Sequence, residues 1–174
     1  MTPGTLVLLH APYATAAAWG ELPELLRDQG LDVVAPDVRD GSGIRYVGRA
    51  ALVIAATAPT PPLVLVGRGG AGPLLPAVAA AQRAAHRQVG AYVFFDAELP
   101  RPRRGHDHVP GVEQEPQVPA DWPEAPCGYL RTADRYEQEA RQAELRGWPV
   151  TRQQAPVSVP GRICRPLREL ISAL

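Results

Sequence analysis

The chain contains no lysine, no asparagine, three serines and two cysteines in 174 residues. None of its apolar runs approaches the ~20 residues that a membrane helix needs. Without asparagine there is no N-glycosylation acceptor. The lack of lysine does not make the chain acidic, because eighteen arginines balance eighteen aspartates and glutamates. There is therefore neither a basic surplus for nucleic acid nor an acidic tail, and small molecules or proteins are the partners this balance leaves. Cys127 and Cys164 lie far apart with no C-x-x-C spacing, so no zinc or redox motif is spelled, and both are expected as small buried hydrophobes. The opening "MTPGTLVLLHAP" has no positively charged leader and too short an apolar run for a signal peptide. A cytoplasmic chain without membrane attachment is expected.

What the sequence does have is proline (20), glycine (16) and a succession of short apolar runs. Runs of strand length occur at Gly4 to His10, Leu31 to Pro36, Pro62 to Gly67, Gly90 to Asp96, Cys127 to Arg131 and, weakly, Trp148 to Gln153. Most are continuous rather than alternating, as in strands covered on both faces. Between them lie helical stretches at Trp19 to Gln29, Ile44 to Ala58, Pro73 to Arg87, Asp134 to Arg146 and Leu167 to Leu174. Gly30 and Gly147 follow two of these as C-caps, and Asp134 with Glu137 spells a capping-box start. Strands alternating with helices imply right-handed crossovers and one α/β domain over residues 1–174, a doubly wound, mainly parallel sheet of about six strands. The exception is Pro100 to Pro126, a proline-rich stretch without periodicity, expected to be a lid or a loop.

The phrase "LVLVGRGGAG" poses the functional question. Gly67, Gly69 and Gly72 spell G-x-G-x-x-G after a strand and before a helix, and Asp96 ends the next strand, as in a dinucleotide site. Against that, Pro73 and Pro76 remove N–H groups that a pyrophosphate would use, and the motif follows the third strand instead of the first.

Upstream, "LVLLHAPYATAAAWGELPELLRDQGLDVVAPDVRDGSG" resembles the opening of the α/β-hydrolase fold: a strand ending in the His-Gly loop (here His10-Ala11), a Trp on the first helix (Trp19), then "VVAPD" and a Gly-rich turn. "LVLVGRGGAGPLLPAV" falls where that family places its small-x-Ser-x-small nucleophile elbow. "AYVFFDAELPRP" and "CGYLRTADRYEQEARQAELRGWPV" look like the later strands of short, capless bacterial members. The resemblance covers nearly the whole chain and implies a minimal α/β-hydrolase-like core without a cap domain. Its strand order would be second, first, third, fourth, fifth, sixth, and the chain would begin at the third strand of the full fold.

The same resemblance implies a degenerate triad. Gly69 stands at the nucleophile position, and the serines (Ser42, Ser158, Ser172) are elsewhere. Val157 or Val159 stands where the base His would fall. Asp134 occupies the acid loop, as a leftover acid or as the cap of its helix. Gly70 keeps an oxyanion N–H, whereas Pro12, at the second donor position, has none to give. A glycine cannot be acylated, so the family's covalent route is closed at this position.

Several residues are left as candidates for a ligand in the old crevice. Asp96 is either a ligand contact or a turn cap. His10 sits at a strand end, where the family's His is usually structural. Tyr13 flanks the same crevice, and Arg68 could reach into the space above Gly69 and pin a carboxylate or enolate, or merely be solvated. His106, Asp107 and His108 form a weak metal-like cluster in a loop, and neither metal nor cofactor is expected. Two functions of different class follow. One is a non-hydrolytic protein that binds an apolar small molecule for a cyclisation, an elimination or simple carriage, in specialised metabolism as in bacterial relatives. The other is a pseudoenzyme that acts as a partner subunit, as a homodimer or paired with a related protein. Hydrolysis through an unrecognised nucleophile is a third.

Overall fold

The computed structural model describes residues 4–41, 43–101, 116–154 and 161–174. In chain order the elements are β1 (Thr5–Leu9), α1 (Leu22–Asp28), β2 (Asp32–Val34), α2 (Gly43–Ala56), β3 (Leu63–Gly69), α3 (Leu75–Ala84), β4 (Val89–Ala97), β5 (Cys127–Arg131), α4 (Glu137–Leu145), β6 (Val150–Arg152) and α5 (Gly161–Ser172). Short 3-10 turns at Ala16–Trp19, Gly72–Leu74 and Asp134–Tyr136 lead into α1, α3 and α4. The strands form one sheet in the order β2-β1-β3-β4-β5-β6. Every pairing is parallel.

The continuous apolar runs are explained by helices on both faces. Leu6 and Leu8 of β1 pack with Trp19, Leu26 and the α5 residues Ile163, Leu167 and Leu170. Val7 and Leu9 face the other way, against Tyr46, Ala50 and Ile54 of α2 and the apolar side of α3. Tyr46, Ala50 and Ile54 recur every four residues, the spacing that keeps one helix face in a core.

α5 begins six residues before the expected Leu167 and runs through Pro166. Proline inside a helix removes one hydrogen bond. Here Ile163, Cys164, Leu167, Leu170 and Ile171 form a buried stripe on the sheet that outweighs that loss. The expected capping box of α4 does not form. The residue before the Asp134–Tyr136 turn is Ala133, with no side-chain cap, and α4 starts at Glu137 after Tyr136. Glu137 instead pairs with Arg131, Arg141 and Arg152.

The edge strand β2 is blunted by its own chain. Val33 lies on an edge with one neighbour, and its carbonyl accepts Nε and Nη2 of Arg27 at 3.1 and 2.8 Å. An outward carbonyl already occupied offers less to a docking strand.

Of the proline-rich stretch, residues 102–115 lie outside the described residues. Its last part is tied to the core: Trp122 packs edge-on to Tyr92, Phe94 and Trp148. Glu124 accepts the Tyr92 hydroxyl at 2.5 Å and pairs with Arg83 at 2.6 Å. No described helix is long and apolar enough to cross a membrane.

Both cysteines are buried and unpaired, and burial pushes the Cys127 thiol up to about 12. Since the thiolate is the reactive form, a disulfide reagent such as DTNB is expected to label neither residue at pH 7.5 in the folded protein. Both should react at once in guanidinium. Rapid labelling of the native chain would mean that the packing around β5 and α5 opens readily.

Candidate functional site

Strands in an open parallel sheet deliver their chemistry at their C-terminal ends. Here those ends carry His10 to Tyr13 after β1, Gly69 and Gly70 at β3, Asp96 at β4, and Arg131 to Tyr136 after β5. Gly69 has φ of 56°, the left-handed conformation in which a nucleophile elbow holds its residue. A Cβ built on Gly69 would stand 3.3 Å from the Ala11 Cβ and 3.8 Å from the Tyr136 hydroxyl. One on Gly70 would stand 3.5 Å from the Pro12 Cδ. Ala11, Pro12 and Tyr136 therefore wall the space that a nucleophile's side chain would fill. Pro12 lies at the elbow as expected, and a proline there supplies no N–H.

The other two glycines of the fingerprint have packing reasons. At Gly67 an added Cβ would press on Leu75 at 2.9 Å, and at Gly72 it would meet the Glu98 carbonyl at 2.0 Å. The glycines thus make room for α3 and for the exit of β4, which is the elbow reading and not the phosphate one.

Several sequence-based candidates are placed in the fold and not in the crevice. His10 is fully buried. Its Nδ1–H donates to the Ala11 carbonyl at 2.8 Å and its Nε2 accepts the Val38 N–H at 2.9 Å. Both ring nitrogens are occupied, so His10 is a brace between the loops after β1 and β2 and is corrected as a ligand contact. Asp37, from "VVAPD", completes the brace by accepting the Ala16 N–H at 3.0 Å. That bond and Arg39 hold its carboxyl below the usual range.

Asp96 is corrected in the same sense. The β3–β4 register skips a residue between Arg68↔Phe95 and Gly69↔Ala97, so Asp96 is the bulged residue, with φ of 42°. Bulges re-aim a side chain. This one aims its carboxylate at the β5 exit, where it accepts the N–H groups of Thr132 at 2.6 Å and Ala133 at 3.1 Å and also the Thr132 hydroxyl.

Arg68 does not enter the space above Gly69. Its guanidinium lies 5.8 Å from both the Trp19 and Phe95 ring centroids and donates to the Ala18 carbonyl at 2.5 Å. Burial lowers its pKa from the ordinary arginine value, with Asp96 and Tyr136 pulling the other way. Tyr13 lies on the surface, 87% exposed, with its ring laid against Gly41. Asp134 is also turned outward, its side chain 94% exposed and paired with Arg131 at 2.7 Å. Val157, Val159 and the cluster His106, Asp107 and His108 fall outside the described residues.

Sequence reasoning missed Tyr136. The residue pattern places it inside a helix starting at Asp134, whereas a 3-10 turn separates β5 from α4 and brings the Tyr136 hydroxyl to the elbow. The Arg135 guanidinium sits 4.8 Å from that ring's centroid. The signal available was a tyrosine two residues beyond the acid position. Two shallow concavities of about 660 and 510 Å³ lie elsewhere, along α5. Among the described residues no group of three His, Cys, Asp or Glu side chains is arranged to hold a metal ion.

A parallel sheet in this order, with a left-handed elbow at the end of its third strand, defines an α/β-hydrolase fold. The similarity to solved structures supports it at the level of fold. An extracellular α/β-hydrolase from a Paenibacillus species, described as sharing structural and functional homology with tobacco salicylic acid binding protein 2, superposes with a TM-score of 0.74. The two are 14% identical over 97% of this chain and 99% of that one. The H243A variant of tomato methylketone synthase I complexed with β-ketoheptanoate gives 0.69 at 12% identity, over 99% of each chain. Polyneuridine aldehyde esterase gives 0.71 at 15% identity, over 98% of this chain and 100% of that one. No protein-family model matches the chain. No curated protein matches it in sequence.

Proposed function

We propose that this chain binds an apolar small molecule non-covalently in the crevice above Gly69, and shapes it for a cyclisation or elimination or carries it, with no acyl-enzyme step. The observation that carries this reading is the elbow. Gly69 retains the nucleophile's backbone conformation at φ of 56° but has no side chain, and the vacated space is faced by a tyrosine hydroxyl. Two further features support it. Pro12 has no N–H for an oxyanion, and His10 has both ring nitrogens engaged, so it is no substitute base. The same fold holds a small molecule in the methylketone synthase complex with β-ketoheptanoate.

The test is whether a serine restores hydrolysis. Family-type catalysis needs nucleophile, base and oxyanion donors acting as a unit. A Gly69→Ser variant is therefore expected to hydrolyse p-nitrophenyl butyrate within about threefold of the parent, with no burst and no acyl adduct by intact-mass spectrometry. Native mass spectrometry of the parent after incubation with source-cell extract should show a retained small molecule. An acyl adduct on the parent chain would overturn the reading and return the protein to the hydrolases.

A further inference from the structure

The outward side of α2 differs from those of α1, α4 and α5, which turn charges of both signs to solvent, among them Glu24 and Arg27, Arg141 and Glu144, Arg165 and Glu169. In α2 the buried residues Tyr46, Ala50 and Ile54 leave Ile44, Gly48 and Leu52 on the opposite side, at the same four-residue spacing. Ile44 and Leu52 are 54% and 65% exposed.

The charge on this helix has one sign. α2 contains no aspartate or glutamate, and its two charged residues, Arg45 and Arg49, are exposed one position beyond Ile44 and Gly48. Among the described residues neither pairs with a carboxylate. Arg45 also lies in the first turn, where the helix dipole favours an anion over a cation. The chain-wide balance of eighteen arginines against eighteen acids conceals this local surplus, which is why the sequence suggests no membrane attachment.

Tyr13 extends the surface beyond the start of the helix. Its ring lies over Gly41, two residues before α2, so closely that a Cβ added there would stand 1.9 Å from it. The ring is nonetheless 87% exposed, and Tyr13 has φ of 64°, a conformation that persists only where the surroundings impose it. Three of the four large apolar side chains that the described residues expose thus belong to α2 and to the ring at its start.

We infer that the outer side of α2, with Tyr13, docks reversibly on an anionic membrane surface. Ile44 and Leu52 enter the boundary between headgroups and acyl chains, Tyr13 lies at headgroup level, and Arg45 and Arg49 meet the lipid phosphates. A second copy of α2 is the poorer occupant, since it would bring two more arginines and no carboxylate to the contact. The inference stands apart from the crevice reading and holds whether or not a ligand occupies that crevice.

The probes are vesicles of phosphatidylglycerol mixed with phosphatidylcholine, and vesicles of phosphatidylcholine alone, sedimented with the full chain. The mixed vesicles should bind about tenfold more of it, and added salt should weaken that binding. Arg45→Gln and Arg49→Gln should each lower the partition constant about fivefold. Leu52→Ser should lower binding to both kinds of vesicle. Arg165→Gln, which removes an exposed arginine on the opposite face of the sheet, should stay within about twofold of the parent. Circular dichroism on each variant confirms the fold.

No sedimentation with the mixed vesicles at millimolar lipid, or binding that Leu52→Ser leaves unchanged, would overturn the inference. A loss in Arg165→Gln equal to that in Arg45→Gln would also overturn it, because the attraction would then belong to the whole chain and not to α2. A dimer by light scattering that Leu52→Ser dissolves, with no vesicle binding, would give the face to a second copy instead.

Discussion

Gly72→Ala is expected to lose about 3 kcal/mol or more of folding stability, the upper end of what overpacking costs, because the clash is with backbone and not with a movable side chain. The added Cβ would lie 2.0 Å from the Glu98 carbonyl oxygen and 3.0 Å from the Ala97 Cβ. Neither can retreat freely. The Ala97 N–H and carbonyl are both bonded to the Tyr129 hydroxyl, at 3.1 and 2.7 Å, and the Glu98 N–H donates to the Gly69 carbonyl at 3.2 Å. Moving the β4 exit aside therefore breaks the link that holds the elbow. Urea unfolding followed by circular dichroism measures the loss. Gly48→Ala is the control, since an added Cβ there meets nothing within 4 Å on the exposed side of α2. It should gain about 0.5–1 kcal/mol from reduced unfolded-state freedom. A Gly72→Ala midpoint close to the parent's would show that the β4 exit slides without cost, and the elbow would then be less firmly held than the hydrogen bonds imply.

The three glycines show how far the sequence could be followed. Their spacing spells a nucleotide fingerprint, and only their position on the third strand, behind the His10-Ala11 and Asp37 motifs, turns the reading toward an elbow. That order is also what made the six strands and their sheet order legible, because the four inner strands are apolar runs buried on both faces, flanked by the short edge strands β2 and β6. The roles of Gly67 and Gly72 were not legible, since they depend on Leu75 and on the β4 exit, which come close only in the folded chain. Arg68 was expected above Gly69 for a similar reason: the rings that draw it back, Trp19 and Phe95, belong to two other elements. Asp96 needed a bulge, which leaves no mark in the pattern of apolar residues. Tyr136 was hidden by the short 3-10 turn, because a capping-box pattern at Asp134 and Glu137 predicts a helix phase that the chain does not adopt.

His10→Ala separates a structural from a ligand-binding histidine, and its effect on stability should be comparably large. The imidazole is fully buried, so its loss leaves a cavity beside Tyr46, whose ring meets it edge-on at 5.9 Å. Truncating a large buried side chain to alanine costs about 2–5 kcal/mol. In addition the Val38 N–H, which now donates to Nε2 at 2.9 Å, is left without its acceptor in the interior. An unsatisfied buried donor adds about 1–3 kcal/mol. Together these place the loss at roughly 4 kcal/mol, a large share of the stability of a domain this size. The remaining folded protein should still retain the small molecule that native mass spectrometry finds on the parent, because both ring nitrogens are bonded to the backbone of the loops after β1 and β2. The two readouts thus point in opposite directions for the two roles. A stable variant with lost affinity would put His10 back in the crevice. An unstable variant whose folded fraction still binds would show that the strand-end histidine serves the loops that shape the crevice and not the ligand itself.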